Sequence, residues 1–175
     1  KNKSQYLNDA VLILKYEPLN KTFAINKLDG LLQSGSFSIS RLSGEQSINN
    51  YEINIDESDV RTLKEFWPNN LLSPIRNWFF DNVLSGKITN ANMIFELSEK
   101  GKAEGPNLNL IFNESNFKYF EEHPAISNAK GQVSYDQNGI EVELETGFML
   151  FDEEKKINLD SFSGFINMSS NPKMA

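Results

Sequence analysis

Phe66-Trp67-Pro68 … Leu71-Leu72-Ser73-Pro74-Ile75-Arg76-Asn77-Trp78-Phe79-Phe80 … Leu84-Ser85-Gly86 is a helical interruption in a chain that otherwise alternates apolar and polar residues. Both tryptophans of the chain lie within it. Val60, Leu63, Lys64 and Trp67 fall at helical spacing, and Ser58 or Asp59 is expected to cap the first turn with a side-chain oxygen. Pro68 lacks an amide and disfavours helix at the residue before it, so a first helix is predicted to end there. Ser73-Pro74 restarts the helix, with serine at the cap and proline at the first helical position. Ile75, Trp78 and Phe79 share a face, and Gly86 is predicted to close this second helix. A β-rich chain that places its largest side chains on one helical insert uses them to cap an apolar sheet surface, with Trp67, Trp78 and Phe79 as the contact.

On either side of the insert the period is two. Ala10 to Tyr16 is a continuous apolar run ended by Pro18, which predicts a strand covered on both faces. Thr22–Leu28 alternates through Phe23 and Ile25, and the Pro-Leu-Asn-Lys link between the two runs reads as a hairpin turn. Phe37 and Ile39 oppose Ser36, Ser38 and Ser40, while Tyr51, Ile53 and Ile55 oppose Glu52, Asn54 and Asp56. After the insert, Ala91, Met93, Phe95 and Leu97 point one way, and Leu108, Leu110 and Phe112 alternate with asparagines. Val133 to Ile140 contains Asn138-Gly139, suited to a tight hairpin turn. Ile140, Val142 and Leu144 then oppose Glu141, Glu143 and Glu145, and Phe162–Met168 is a closing strand. The organisation expected is one β-rich unit over 1–175, with leading strands at about 10–56, a helical insert at about 58–85 and following strands at about 87–168. The fold class is mainly β, an antiparallel meander interrupted by one two-helix insert.

Composition narrows the chemistry. The net charge of −7 disfavours electrostatic capture of nucleic acid or of an anionic membrane surface. There is no cysteine, so disulfides and thiolate sites are excluded. The single histidine, His123 before Pro124, reads as a surface-loop residue, and no second histidine exists for a His-based metal site. Neither a nucleophile elbow nor a phosphate loop is present. Asp56-Glu57-Ser58-Asp59 and Asp152-Glu153-Glu154 lack calcium-loop spacing. The regular Glu141, Glu143 and Glu145 read as a solvent face. No enzyme, cofactor or metal site is expected. What remains is an apolar stripe, either ordinary core or a trough for acyl chains, since burying apolar area needs no specific polar contact. The inward-facing candidates are Ala91, Met93, Phe95, Leu97, Leu108, Leu110, Ile140, Val142 and Leu144.

Several of these residues, in order, resemble a known family. Trp67-Pro68, then Arg76-x-Trp78, then Leu84-x-Gly86-Lys87-Ile88 leading into Ala91–Leu97, is similar to the central domain of the long AsmA-like proteins of Gram-negative bacteria, of the YhdP and TamB type. Phe117-Lys118-Tyr119, Pro124-x-Ile126-x-Asn128-Ala129-x-Gly131, Val133-x-Tyr135 and Ile140 to Gly147 continue that resemblance, which covers roughly residues 58–147. Leu28 leading toward Gly35-Ser36-Phe37 resembles the family's preceding layer. The resemblance implies a curved, taco-like sheet, and phospholipid acyl chains held in a hydrophobic groove. It also implies a periplasmic section of a protein anchored in the inner membrane, in contact with flanking parts of the same long chain. Because the chain starts at Lys1 and holds no span of roughly 18 apolar residues, membrane contact is expected only through segments outside it. The alternatives are a non-catalytic scaffold or protein-docking module of the envelope, and a carbohydrate-binding β-sandwich. Solvent-facing Trp67 or Trp78 would mark the last.

Overall fold

The structure, a computed structural model, describes residues 8–18, 22–32, 35–42, 50–67, 73–98, 103–119, 122–151 and 155–167. The strands are β1 (Asn8–Glu17), β2 (Thr22–Leu32), β3 (Gly35–Arg41), β4 (Asn50–Ile55) and the two-residue β5 (Ser58–Asp59). The helices α1 (Val60–Phe66) and α2 (Ser73–Asn82) follow, and then β6 (Val83–Leu97), β7 (Ala103–Phe117), β8 (Ile126–Tyr135), β9 (Gly139–Leu150) and β10 (Lys156–Asn167). They build one open, curved, antiparallel sheet in the order β1-β2-β3-β4-β6-β7-β8-β9-β10, with β5 paired to β6 alone. Apart from β4 and β6, which pair across the insert, each strand of the path lies beside its sequence neighbour, so alternation within short segments goes far to specify the meander. The helical insert leaves from β4 and returns at β6, and these two strands pair directly, from Asn50 opposite Glu96 to Ile55 opposite Ala91.

Helix α1 stops at Phe66 with Trp67 extended at its C-cap, one residue before Pro68. At the other end Asp59 stands at the cap position, but its side chain makes no capping hydrogen bond. Ser58, expected as the other possible cap, is buried and turns its hydroxyl to the Asp59 carbonyl at 3.1 Å. The pull of β5 toward β6, where Ser58 faces Ile88, accounts for this orientation. Ile75 and Phe79, one turn apart, bury the same face of α2. Phe79 lies 5.6 Å from the Trp67 ring, and Trp67 and Trp78 are half-buried against the core. Lys64 joins the two helices. Its ammonium donates to the Phe80 carbonyl at 2.9 Å and to the Val83 carbonyl, and it lies 5.7 and 5.6 Å from the ring centres of Phe79 and Phe80. Burial pushes the Lys64 pKa below its ordinary 10.5, with Asp81 opposing the shift. Carbonyls at a helix C-terminus attract a cation, so Lys64 serves α2 from α1.

Two expectations are corrected. Gly86 does not close α2, which ends at Asn82; it lies inside β6 at φ 135°. Val83 pairs with Phe117 and draws the chain straight into the sheet. The Ala10–Tyr16 run is not covered on both faces, because β1 is an edge strand that pairs only with β2 among the described residues. Its apolar run reflects exposure on two faces, which periodicity cannot tell from burial on two. The β8–β9 turn falls where Asn138-Gly139 predicts it, with positive φ at Gly139. It is held by Asp136 Oδ1, which accepts from the amides of Asn138, at 2.7 Å, and Gly139, at 3.3 Å.

Those amides hold the Asp136 pKa below its ordinary 3.8. Its ionised form is therefore favoured in the folded hairpin, and the stabilisation, complete above pH 3.8, is lost as pH falls through the depressed folded value. Acid titration of the hairpin amides by NMR is expected to show a step below pH 3.8 that Asp136→Asn abolishes. A step that survives the substitution would assign it to another carboxylate.

Beside the insert, β6, β7 and β8 slip register together. Gly86, Glu114 and Asn128 take positive φ values of 135°, 50° and 48° at successive bulges. Asn116 ties the three strands, donating to Ser85 Oγ at 2.7 Å and accepting from the Asn128 amide at 3.1 Å. Bulges side by side bend a sheet along one line, and beyond this line Ser115, Ala129 and Ile126 are buried.

Candidate functional site: an apolar stripe across the sheet

The strand registers align apolar residues into rows that cross the whole sheet. One runs Leu12, Leu28, Ile39, Ile53, Met93, Leu108, Tyr135, Ile140, Ile166, one residue from each strand of the path. Its neighbour runs Phe37, Ile55, Ala91, Leu110, Val133, Val142. A third joins Phe112, Gly131, Leu144 and Phe162. Successive strands lie about 4.8 Å apart, so nine of them extend the first row over about 40 Å. The alternate positions form a polar row, Ser38, Asn54, Asn92, Asn109, Ser134 and Glu141. Within it Asn92 donates to Asn54 Oδ1 and to Glu52 Oε1, both at 2.7 Å. From β3 to β9 the sheet thus has one mainly apolar and one mainly polar face, as the two-residue alternation requires.

The nine candidates come together on the apolar face. Ala91, Met93, Phe95, Leu108, Leu110, Ile140 and Leu144 are buried, from 1% exposed at Ile140 to 8% at Met93, while Leu97 and Val142 are half-buried. Phe95 stacks on Tyr51 with ring centres 5.9 Å apart. Val60, Leu63, Ile75 and Phe79 of the insert join Ile88, Ala91 and Phe112 in the same cluster, so the helices close one end of the stripe. Toward the sheet edges it opens, with Leu12, Leu14 and Tyr16 at one side and Phe162 at the other about half exposed. Sequence reading of single strands omitted Ile39, Ile53, Val133 and Tyr135 from the stripe, although their alternation was visible. Only pairing register places them in line with Met93 and Leu110.

The chemistry of this face is that of apolar contact. A cleft of about 290 Å³ lies among Asn107, Asn109, Ser134, Asp136, Glu141 and Phe165. Among the described residues no three His, Asp or Glu side chains gather as a metal site. His123 is exposed in its loop with its ring 5.6 Å from that of Tyr119. Trp67 and Trp78 are half-buried and packed against the core. Among the described residues no helix is long and apolar enough to cross a membrane. Comparison of the chain with protein-family models, with curated proteins and with solved structures finds no match.

Proposed function

We propose that this chain is a section of a bridge-like phospholipid-transport protein of the AsmA-like type, working in the periplasm as part of a longer, inner-membrane-anchored molecule. The observation that carries the reading is the register-matched apolar stripe, which runs without a charged residue from Leu12 to Ile166. Acyl tails would lie along it and head groups would face water, with movement by diffusion and no catalytic residue. At roughly 25 cal/mol per Å², contact with such a surface holds a tail without polar recognition. The buried centre leaves no room for a tail as it stands. Entry would begin at the open flanks, Leu12, Leu14 and Tyr16 on one side and Phe162 on the other, and part the central side chains from there.

Mass spectrometry of the purified folded chain is expected to recover phospholipid, before or after incubation with vesicles. Val142→Asp places a charge on the half-buried part of the stripe and is expected to abolish that recovery while the far-ultraviolet circular dichroism spectrum is retained. Equal recovery from a folded Val142→Asp chain would sink the proposal, as would a folded chain that takes up no lipid. The second reading, a scaffold or docking module of the envelope, is favoured by the burial of Ile140, Leu144, Met93 and Leu108 to levels of ordinary core. It predicts the lipid-free outcome.

A further inference from the structure

The registers that align the apolar stripe also align a row on the other face of the sheet. Asn92, Asn109, Ser134, Glu141 and Phe165 stand directly opposite one another on β6 to β10. Phe165 thus sets an aromatic ring at the end of a polar row. At 60% exposed it is the most exposed large apolar side chain among the described residues. The ring stands on the face of the sheet, so its place does not depend on what pairs with the outer flank of β10.

Asn107, Asn109, Ser134, Asp136, Glu141 and Phe165 border the cleft of about 290 Å³ at this end of the row. Asp136 is committed to the turn: Oδ1 accepts from the Asn138 and Gly139 amides, and Oδ2 accepts from Asn138 Nδ2 at 3.0 Å. Asn107, Asn109, Ser134 and Glu141, by contrast, make no side-chain hydrogen bond to any described residue. Elsewhere on this face the polar groups satisfy one another, Asn92 donating to Asn54 and Glu52, and Gln132 to Glu143. The cleft therefore gathers two side-chain amides, a hydroxyl and a carboxylate, all free toward a ligand, beside an exposed ring.

That set selects a ligand class. No lysine or arginine lines the cleft, so an anion finds no countercharge, and a single free carboxylate supplies too few oxygens for a metal ion. Amides and a hydroxyl both donate and accept, which suits a ligand whose own groups do both. The negative face of an aromatic ring attracts the C–H groups on the flat side of a pyranose. Neighbouring strands lie about 4.8 Å apart, so Asn109, Ser134, Glu141 and Phe165 extend over about 14 Å, the reach of a short oligosaccharide.

We propose that this cleft binds a neutral β-linked glycan, with one pyranose stacked on Phe165 and its hydroxyls shared among Glu141, Ser134 and Asn109. Sugars with equatorial hydroxyls have the flat C–H face that the ring requires, and a β-linked chain of them is straight, as the row is. The site is separate from the apolar stripe and from the tryptophans of the insert.

NMR titration of the isotope-labelled whole chain with cellohexaose and with chitohexaose tests the proposal. At least one is expected to shift the backbone amides of Asn109, Ser134, Glu141 and Phe165, with saturation transferred between the Phe165 ring and the sugar C–H protons. Phe165→Leu keeps apolar bulk but removes the ring, and is expected to weaken binding about tenfold, whereas Phe165→Tyr is expected to retain it. Glu141→Gln is expected to weaken it severalfold. Both positions are exposed, so the variants are expected to fold, which circular dichroism checks. Binding of neither oligosaccharide, shifts confined to the insert around Trp67 and Trp78, or a Phe165→Leu chain that binds as wild type would each overturn the proposal. Phospholipid recovery is read separately and bears on the stripe alone.

Discussion

Gly86→Ala is expected to lower the stability of the chain by about 2–6 kcal/mol at neutral pH. Gly86 holds φ at 135°, a conformation that costs a residue with a side chain about 1–3 kcal/mol. An added Cβ would stand 2.1 Å from Ser115 Oγ and 2.6 Å from Ser115 Cα, and Ser115 is itself buried. Overpacking of this kind costs about 1–3 kcal/mol more, so the sum consumes much of the roughly 5–15 kcal/mol that holds an ordinary domain. Chemical denaturation read by tryptophan fluorescence checks it. Ser115→Gly in the same chain is expected to recover only part of the loss, since the Cα remains too near and the backbone strain persists. A Gly86→Ala chain as stable as wild type would refute the close approach of β6 and β7 at this bulge.

Phe79→Ala carries the second large effect, a loss of about 3–5 kcal/mol, the range for a buried phenylalanine. Phe79 is 6% exposed and lies between Trp67 and Phe80, at 5.6 and 6.5 Å. It is also one of the rings under the Lys64 ammonium. Removing it empties the centre of the contact between insert and sheet. Because Trp67 and Trp78 are the only tryptophans and both sit there, their emission is expected to shift to longer wavelength before the strand signal is lost. Coincident loss of both signals at an unchanged midpoint would show that the ring contributes little.

The meander was legible because each of its strands pairs with a sequence neighbour and shows its own alternation: Ala91, Met93 and Phe95, or Ile140, Val142 and Leu144, announce both strand and inward face. Pro68 announced the break between helices. What could not be read were the places where pairing, not local preference, decides conformation. Glu114 and Asn128 adopt positive φ because neighbouring bulges require it, and nothing in their own segments signals this. Gly86 resembled a helix stop because it follows an apolar helix, yet its role is set by Ser115, 29 residues later. Gly131 is similar: a Cβ there would lie 2.1 Å from the Glu143 carbonyl on the next strand. The stripe was half legible. Its members on β6, β7 and β9 follow from alternation, while its continuity across β1 to β4 depends on strand order and register.

The direct pairing of β4 with β6 has a consequence for how the chain assembles. Every other contact in the path joins strands adjacent in sequence by short links, whereas Ile55 meets Ala91 only after the whole helical excursion has been traversed. Closing that loop carries the largest entropy cost in the meander, and hairpins form faster than such distant contacts. The leading strands and the following strands can therefore gain order as two separate halves. The helices, anchored on β6 by Phe79, shorten the search that brings the halves together.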